Sequence, residues 1–238
     1  MNLADSQQCR WHAVSDGHAL QTAALETISV SAARSIQERG QFHLVLAGGN
    51  SPSKIYRGLR ATQTDWAAWH LYFGDERCLP ADDPARNSRM VGDAWLDSVP
   101  VPPLQVHAIA GELGAFQASR QYAETLRTVG DFDLVLLGLG EDGHTASLFP
   151  NHEWGAAPGS PDTLAVRDAP KPPPERVSMS AARLSRARQV LFLVSGESKR
   201  VAVSEWRAGK GIPARAIRPT SGVDILVESA LLETPSGR

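Results

Sequence analysis

Cysteine is scarce in this chain, with Cys9 and Cys78 the only two among 238 residues. Two cysteines cannot build a disulfide framework, and their spacing excludes a CxxC motif. No apolar run approaches the roughly 20 residues that span a bilayer, and residues 1–10 lack the apolar stretch of a signal peptide. We therefore expect a cytoplasmic protein in a reducing compartment, without a membrane partner.

An excess of one charge is also absent, since 24 basic residues stand against 26 acidic ones and the formal net charge is −2. This balance removes the main electrostatic argument for a nucleic-acid partner. The seven histidines show no HExxH or similar ligand spacing, so we expect no metal. A hydrophobic share of 42% excludes a disordered or collagen-like chain and supplies a sizeable core.

Short apolar runs alternate with longer amphipathic segments. The runs predict strands at residues 42–47, 70–73, 132–137 and 190–194, and weaker ones at 105–109, 164–167 and 224–227. Helices are predicted at residues 19–39, 87–96, 116–128 and 197–208, the first of them ended by Gly40. This alternation predicts an α/β fold with a mostly parallel sheet and helices on both faces. We expect one domain over residues 1–238, with the Pro- and Gly-rich residues 155–174 as a surface loop.

The first candidate site is the turn Gly48-Gly49-Asn50-Ser51, which follows a predicted strand and precedes a predicted helix. Paired glycines let a ligand approach the backbone closely, and Pro52 suits a first helical position. The amide groups of such a helix start bind phosphate well. A tight turn with Ser51 as helix cap explains the same residues without a ligand.

The second candidate is Gly74-Asp75-Glu76-Arg77, in which a glycine and three consecutive charged residues follow an apolar strand. Arg77 has the planar guanidinium that holds a phosphate through two hydrogen bonds. A solvated loop with an Asp–Arg pair is the alternative. A weaker candidate of the same kind combines Arg176, before a strand-like run, with Lys199, which ends the turn Ser195-Gly196-Glu197-Ser198.

The third candidate, GLGEDGHTASLFP at residues 138–150, contains a literal GxGxxG after a strand. A dinucleotide site needs a long helix after the third glycine, but Pro150 follows only seven residues later, so we expect no nucleotide cofactor. Asp142-Gly143-His144 instead has the pattern of an imidazole base oriented by a carboxylate. A capping histidine is the structural alternative.

Together, GGNSP at 48–52, GDER at 74–77, GLGEDGHTASLFP at 138–150 and SGESK at 195–199 resemble the 6-phosphogluconolactonase family in order and spacing. The resemblance covers roughly residues 12–230 and implies a modified Rossmann-type α/β fold without a nucleotide. It implies hydrolysis of 6-phospho-D-glucono-1,5-lactone in the oxidative pentose phosphate pathway, without a cofactor. The expected partner is this small phosphorylated substrate, and the expected state is a monomer.

The resemblance assigns roles to the candidate residues. His144 and Asp142 are expected to be catalytic, with water attacking directly because the chain has no GxSxG nucleophile motif. The expected phosphate ligands are Gly48, Gly49, Asn50, Ser51, Arg77, Arg176 and Lys199.

Two alternatives remain open. A sugar-phosphate deaminase or isomerase of the same fold is disfavoured because deaminases have a glutamate where this chain has Phe149. A carboxylate is needed there to move protons at the sugar ring. A non-catalytic sugar-phosphate sensor would bind phosphate without using His144.

Overall fold

The computed structural model describes residues 7–233. The single domain predicted over residues 1–238 extends beyond this range at both ends. Residues 1–6, part of the segment that lacks a signal-peptide pattern, also lie outside the described residues. No helix among the described residues is both long and apolar enough to cross a membrane.

A seven-stranded parallel sheet forms the centre of the fold, with the strand order β1-β10-β9-β6-β2-β3-β5. The strands are β1 (Cys9–Val14), β2 (Phe42–Leu46), β3 (Trp69–Phe73), β5 (Val106–His107), β6 (Phe132–Gly138), β9 (Ala187–Val194) and β10 (Val223–Glu228). Six residues of β6 are buried in succession because both faces of the central strands are covered. All the runs predicted as strands of this sheet are present, with ends shifted by up to three residues, whereas β1 is an additional strand.

In the described part of the chain, six α-helices accompany the strands: α1 (Gly17–Arg39), α2 (Asn50–Leu59), α3 (Asn87–Ala94), α4 (Ala115–Leu126), α5 (Ala181–Ser185) and α6 (Arg200–Arg207). Asp16 caps α1 by accepting the amides of His18 and Ala19, each at 2.9 Å. Gly40 ends the helix in the left-handed conformation, with φ of 76°, as the sequence predicted. The last predicted helix begins with a 3₁₀ turn at Glu197–Lys199, so α6 proper starts three residues later than predicted.

The direction in which successive strands are added to the sheet reverses between the neighbouring strands β2 and β6. From β2 the chain moves outward through β3 to β5, and from β6 it moves the opposite way through β9 to β10. Right-handed crossovers therefore place α1, α2 and α3 on one face of the sheet and α4 and α6 on the other. This reversal opens a crevice at the carboxyl ends of β2 and β6, where open α/β sheets bind their ligands.

A small antiparallel sheet adds to the parallel one, with strand order β4-β8-β7. Its strands are β4 (Asp75–Arg77), β8 (Arg176–Met179) and β7 (Thr163–Val166). The strand predicted at 164–167 is β7 of this small sheet, which agrees with a mostly parallel arrangement. Pairing of Arg77 with Arg176 brings two distant segments of the sequence together.

Candidate active site at the carboxyl edge of the sheet

A cleft of about 410 Å³ opens at the crevice between β2 and β6. Its walls are the turns that follow β2, β3, β6 and β9, which the sequence singled out as four separate motifs. The predicted site residues that line it are Gly48, Gly49, Asn50, Ser51, Arg77, His144, Arg176 and Lys199. Asp142, the remaining predicted site residue, contacts His144 instead.

The glycine turn after β2 presents the start of α2 to this cleft. The sequence predicted Pro52 at the first position of the helix. The helix begins at Asn50 instead, so Pro52 is its third residue. Gly49 is the N-cap, with φ of 109°, and no side chain caps the helix, so the first amide groups are available to a ligand. A Cβ on Gly48 would lie 2.1 Å from Oδ1 of Asn87, which explains the glycine at that position.

His144 and Asp142 form a close pair beside the glycine turn. Nδ1 of His144 lies 2.5 Å from Oδ1 of Asp142, and the same oxygen accepts the His144 backbone amide at 3.2 Å. The carboxylate therefore binds the protonated Nδ1, which leaves Nε2 as the basic nitrogen. Nε2 has no hydrogen-bond partner within residues 7–233. The pair thus has the geometry of an oriented imidazole base.

Burial of His144 favours the neutral imidazole. It lowers the pKa of His144 below the usual value, and the hydrogen bond and charge of Asp142 reverse only part of this shift. Burial acts to raise the pKa of Asp142, but hydrogen bonds with His144 and attraction to it outweigh that effect and lower it. At neutral pH the pair is therefore a carboxylate and a neutral base.

The GxGxxG pattern has a local explanation. A Cβ on Gly140 would lie 2.0 Å from Nδ1 of His144, so this glycine makes room for the imidazole. Gly143 turns the chain with φ of 82°. No helix lies between Gly143 and Pro150, in agreement with the absence of a dinucleotide fingerprint.

Among the described residues, three cationic side chains and one carboxylate, that of Asp75, line the cleft. Nε of Arg77 is buried and has no hydrogen-bond partner among the described residues, while its Nη1 donates to the carbonyl of Ala85. Lys199 ends the 3₁₀ turn after β9 and forms no ion pair within residues 7–233. Excess positive charge and an unpartnered guanidinium nitrogen suit a small anion.

Arg176 is buried beside Arg77, its partner in the pairing of β8 with β4. Its Nη2 donates to the carbonyls of Lys171 and Pro172, at 2.9 and 3.1 Å, and its Nε donates to Pro173 at 3.1 Å. The remaining nitrogen, Nη1, makes no hydrogen bond within the described part of the chain. Its guanidinium is thus rigidly held with one nitrogen available for a ligand.

Asp75 and Asn87 also line the cleft, although no role was predicted for either from the sequence. Ser147 Oγ donates to Oδ2 of Asp75 at 2.6 Å, and Nδ2 of Asn87 donates to Oδ1 at 3.1 Å. Glu76, fully buried, accepts the amides of Asn87 and Ser88 and so caps α3. The run of charges at 75–77 was the available signal, but the side-chain partners of Asp75 lie 12 and 72 residues away in the sequence.

Fold and cleft define an α/β protein of the class that binds a small anionic ligand at a topological switch point. The sequence matches the family model described as glucosamine-6-phosphate isomerases/6-phosphogluconolactonase over residues 15–226. The chain belongs to this family, which confirms the resemblance seen in the sequence.

Individual relatives agree with this assignment. Over 209 residues the chain is 35% identical to the 6-phosphogluconolactonase of Synechocystis, covering 82% of this chain and 85% of that one. Over 213 residues it is 37% identical to the 6-phosphogluconolactonase of Streptomyces coelicolor, covering 81% of each. The crystal structure of 6-phosphogluconolactonase from Thermotoga maritima superposes with a TM-score of 0.85 at 25% identity, covering 93% of this chain and 100% of that one. The predicted α/β fold class is thereby confirmed.

Proposed function

We propose that this chain hydrolyses 6-phospho-D-glucono-1,5-lactone to 6-phospho-D-gluconate, a step of the oxidative pentose phosphate pathway. The relatives that share 35% and 37% identity with it are 6-phosphogluconolactonases. The observation that carries the mechanism is the short contact between His144 and Asp142 at the wall of a cleft lined by three cations. The chain is proposed to act as a monomer and without a cofactor.

His144 is the proposed base. Its Nε2 takes a proton from a water molecule as the water oxygen attacks the lactone carbonyl carbon. The tetrahedral intermediate collapses by breaking the bond to the ring oxygen, and the imidazolium returns the proton to that oxygen. The products are one carboxyl and one hydroxyl group, so lactone and water are consumed in equal amounts. Asp142 holds Nδ1 and stabilises the transient imidazolium.

The substrate phosphate is proposed to lie among the turn at residues 48–51, Arg77, Arg176 and Lys199. The support is that all of them line one cleft and that Arg77 and Arg176 each have a guanidinium nitrogen without a hydrogen-bond partner within residues 7–233. Anchoring the phosphate fixes the lactone carbonyl beside His144, so binding energy far from the reaction lowers its barrier.

The test is to generate the lactone from glucose 6-phosphate and follow its disappearance by NMR, with and without the protein. Because the lactone also hydrolyses spontaneously, rates are compared rather than end points. Acceleration that scales with protein concentration supports the proposal. A rate equal to the spontaneous one refutes it.

The deaminase alternative is tested in parallel, because the matched family includes glucosamine-6-phosphate isomerases. Phe149 is fully buried where deaminases have a glutamate, so we expect no ammonia release from glucosamine 6-phosphate. A sensor would bind 6-phosphogluconate without accelerating lactone hydrolysis. Calorimetric titration with 6-phosphogluconate therefore separates the sensor from a protein that binds no phosphosugar.

A further inference from the structure

Residues 168–174, here called the strap, form a proline-rich loop that crosses beside the cleft. The amide of Ala169 donates to the carbonyl of Pro174 at 3.0 Å and closes the loop at its base. Three of its carbonyls, those of residues 171–173, accept hydrogen bonds from Arg176. Ala169 packs in a small apolar cluster with Phe149 and Val166. The strap is thus fixed to the wall that carries Arg176.

An ion pair between Lys171 and Glu141 fixes the other side of the strap. Nζ of Lys171 lies 2.8 Å from Oε1 of Glu141, the neighbour of Asp142 in the turn that carries His144. The Lys171 side chain is 40% exposed and that of Glu141 58%. An ion pair this exposed contributes little to the stability of the fold. Its importance lies in its position between the strap and the base.

The charges around His144 are of both signs. Asp142 and Asp75 favour the imidazolium, whereas Lys171 opposes it, and the charge of Lys171 also acts on Lys199. Arg77 and Arg176 line the same cleft. Lys171 is therefore a cation close to both the base and the anion-binding groups, although it is not part of any of the four sequence motifs.

We propose that Lys171 is a positioning residue of the site, holding the strap and Arg176 against the turn of His144 and keeping the rim of the cleft electropositive. This role rests on the proposed lactonase function. The cation opposes a second positive charge on the imidazole and so maintains the base in its neutral form. The ion pair keeps the strap carbonyls, and with them the guanidinium of Arg176, in place for the substrate phosphate.

The test compares Lys171→Met, Lys171→Arg and Glu141→Gln. Lys171→Met removes both the ion pair with Glu141 and the positive charge at residue 171, whereas Lys171→Arg retains both. Glu141→Gln removes the ion pair but retains the positive charge of Lys171. We expect KM to rise roughly two- to fivefold in Lys171→Met and in Glu141→Gln. The pKa of His144, measured by NMR titration of its imidazole, rises in Lys171→Met only. Lys171→Arg restores both values.

A His144 titration in Lys171→Met that superimposes on that of the wild type contradicts the proposal, whatever happens to KM. Thermal unfolding establishes that each variant is folded, and Lys171→Gln serves if the Met variant is not. The titration needs no activity, with His144 signals identified by their loss in His144→Gln. A wild-type protein without lactonase activity therefore refutes the proposed function separately from the role of Lys171.

Discussion

The guanidinium of Arg176 lies over the ring of Phe149, with 5.4 Å between the guanidinium carbon and the ring centroid. The same ring is 4.8 Å from the imidazole of His144, centroid to centroid. A single buried aromatic side chain thus supports a proposed phosphate ligand on one side and the proposed base on the other. A carboxylate at this position would be buried between these groups and would change the charge of both contacts.

Truncation of Phe149 tests this support. Phe149→Ala is expected to lower the free energy of unfolding by about 3–5 kcal/mol, because a fully buried ring leaves a cavity. KM rises as well, since Arg176 loses its contact, and Phe149→Leu shows a smaller effect on both. Phe116→Ala is the matched control, because Phe116 is 66% exposed and stacks with the exposed-surface residue Arg167 rather than with the groups that line the cleft. Urea unfolding and steady-state kinetics measure both effects, and Phe149→Ala values equal to those of the control would contradict this account.

Removal of the guanidinium of Arg176 tests its proposed role toward phosphate. Arg176→Lys is expected to raise KM roughly 10- to 100-fold with a smaller change in kcat, because charged hydrogen bonds to the phosphate are lost. Arg167→Lys, on the exposed ring of Phe116, is the control and should retain the wild-type KM. A kcat that falls while KM stays constant would instead indicate a role in the chemical step.

The pH dependence of kcat/KM should reflect the neutral form of His144. Because burial lowers its pKa, the decline of activity on acidification is expected below pH 6.5, the ordinary pKa of histidine. Asp142→Asn removes the carboxylate that raises this pKa, so the acid limb moves lower still while kcat falls at least roughly tenfold. An acid limb that moves upward in this variant would show that Asp142 does not favour the imidazolium.

Three histidines stack on neighbouring strands away from the cleft. His43 and His70 have parallel rings with centroids 4.8 Å apart, and His107 lies 5.9 Å beyond His70. Burial lowers the pKa of His43 to about 4, and the neighbouring His70 adds to the effect, whereas Asp133 opposes it. Burial also lowers the pKa of His70 and of His107.

This stack predicts an acid-sensitive fold. Since the folded-state pKa of His43 lies below the unfolded value of 6.5, the stack contributes its full stability above pH 6.5 and loses it as the pH falls toward 4. His43→Phe retains a stacked ring that does not titrate. Its Tm should fall less than that of the wild type between pH 7 and pH 5, whereas parallel decreases would exclude His43 as the cause.

Much of the fold could be predicted because β2, β6 and β9 are buried on both faces and therefore appear as short apolar runs. The charged strand Asp75–Arg77 resembled a loop, because its register depends on pairing with Arg176–Met179, far away in the sequence. For the site, the sequence identified the turns that follow the strands. The contacts of Asp75 with Ser147 and the link from Lys171 to Glu141 depend on tertiary packing and carry no local signal.

The role of His144 as the base is tested by the turnover of His144→Ala with lactone generated in situ. We expect kcat to fall roughly 10²–10⁴-fold, while KM changes little because the phosphate ligands remain. His12→Ala, a substitution outside the cleft, should retain the wild-type kcat. Turnover of His144→Ala close to that of the wild type would contradict the account.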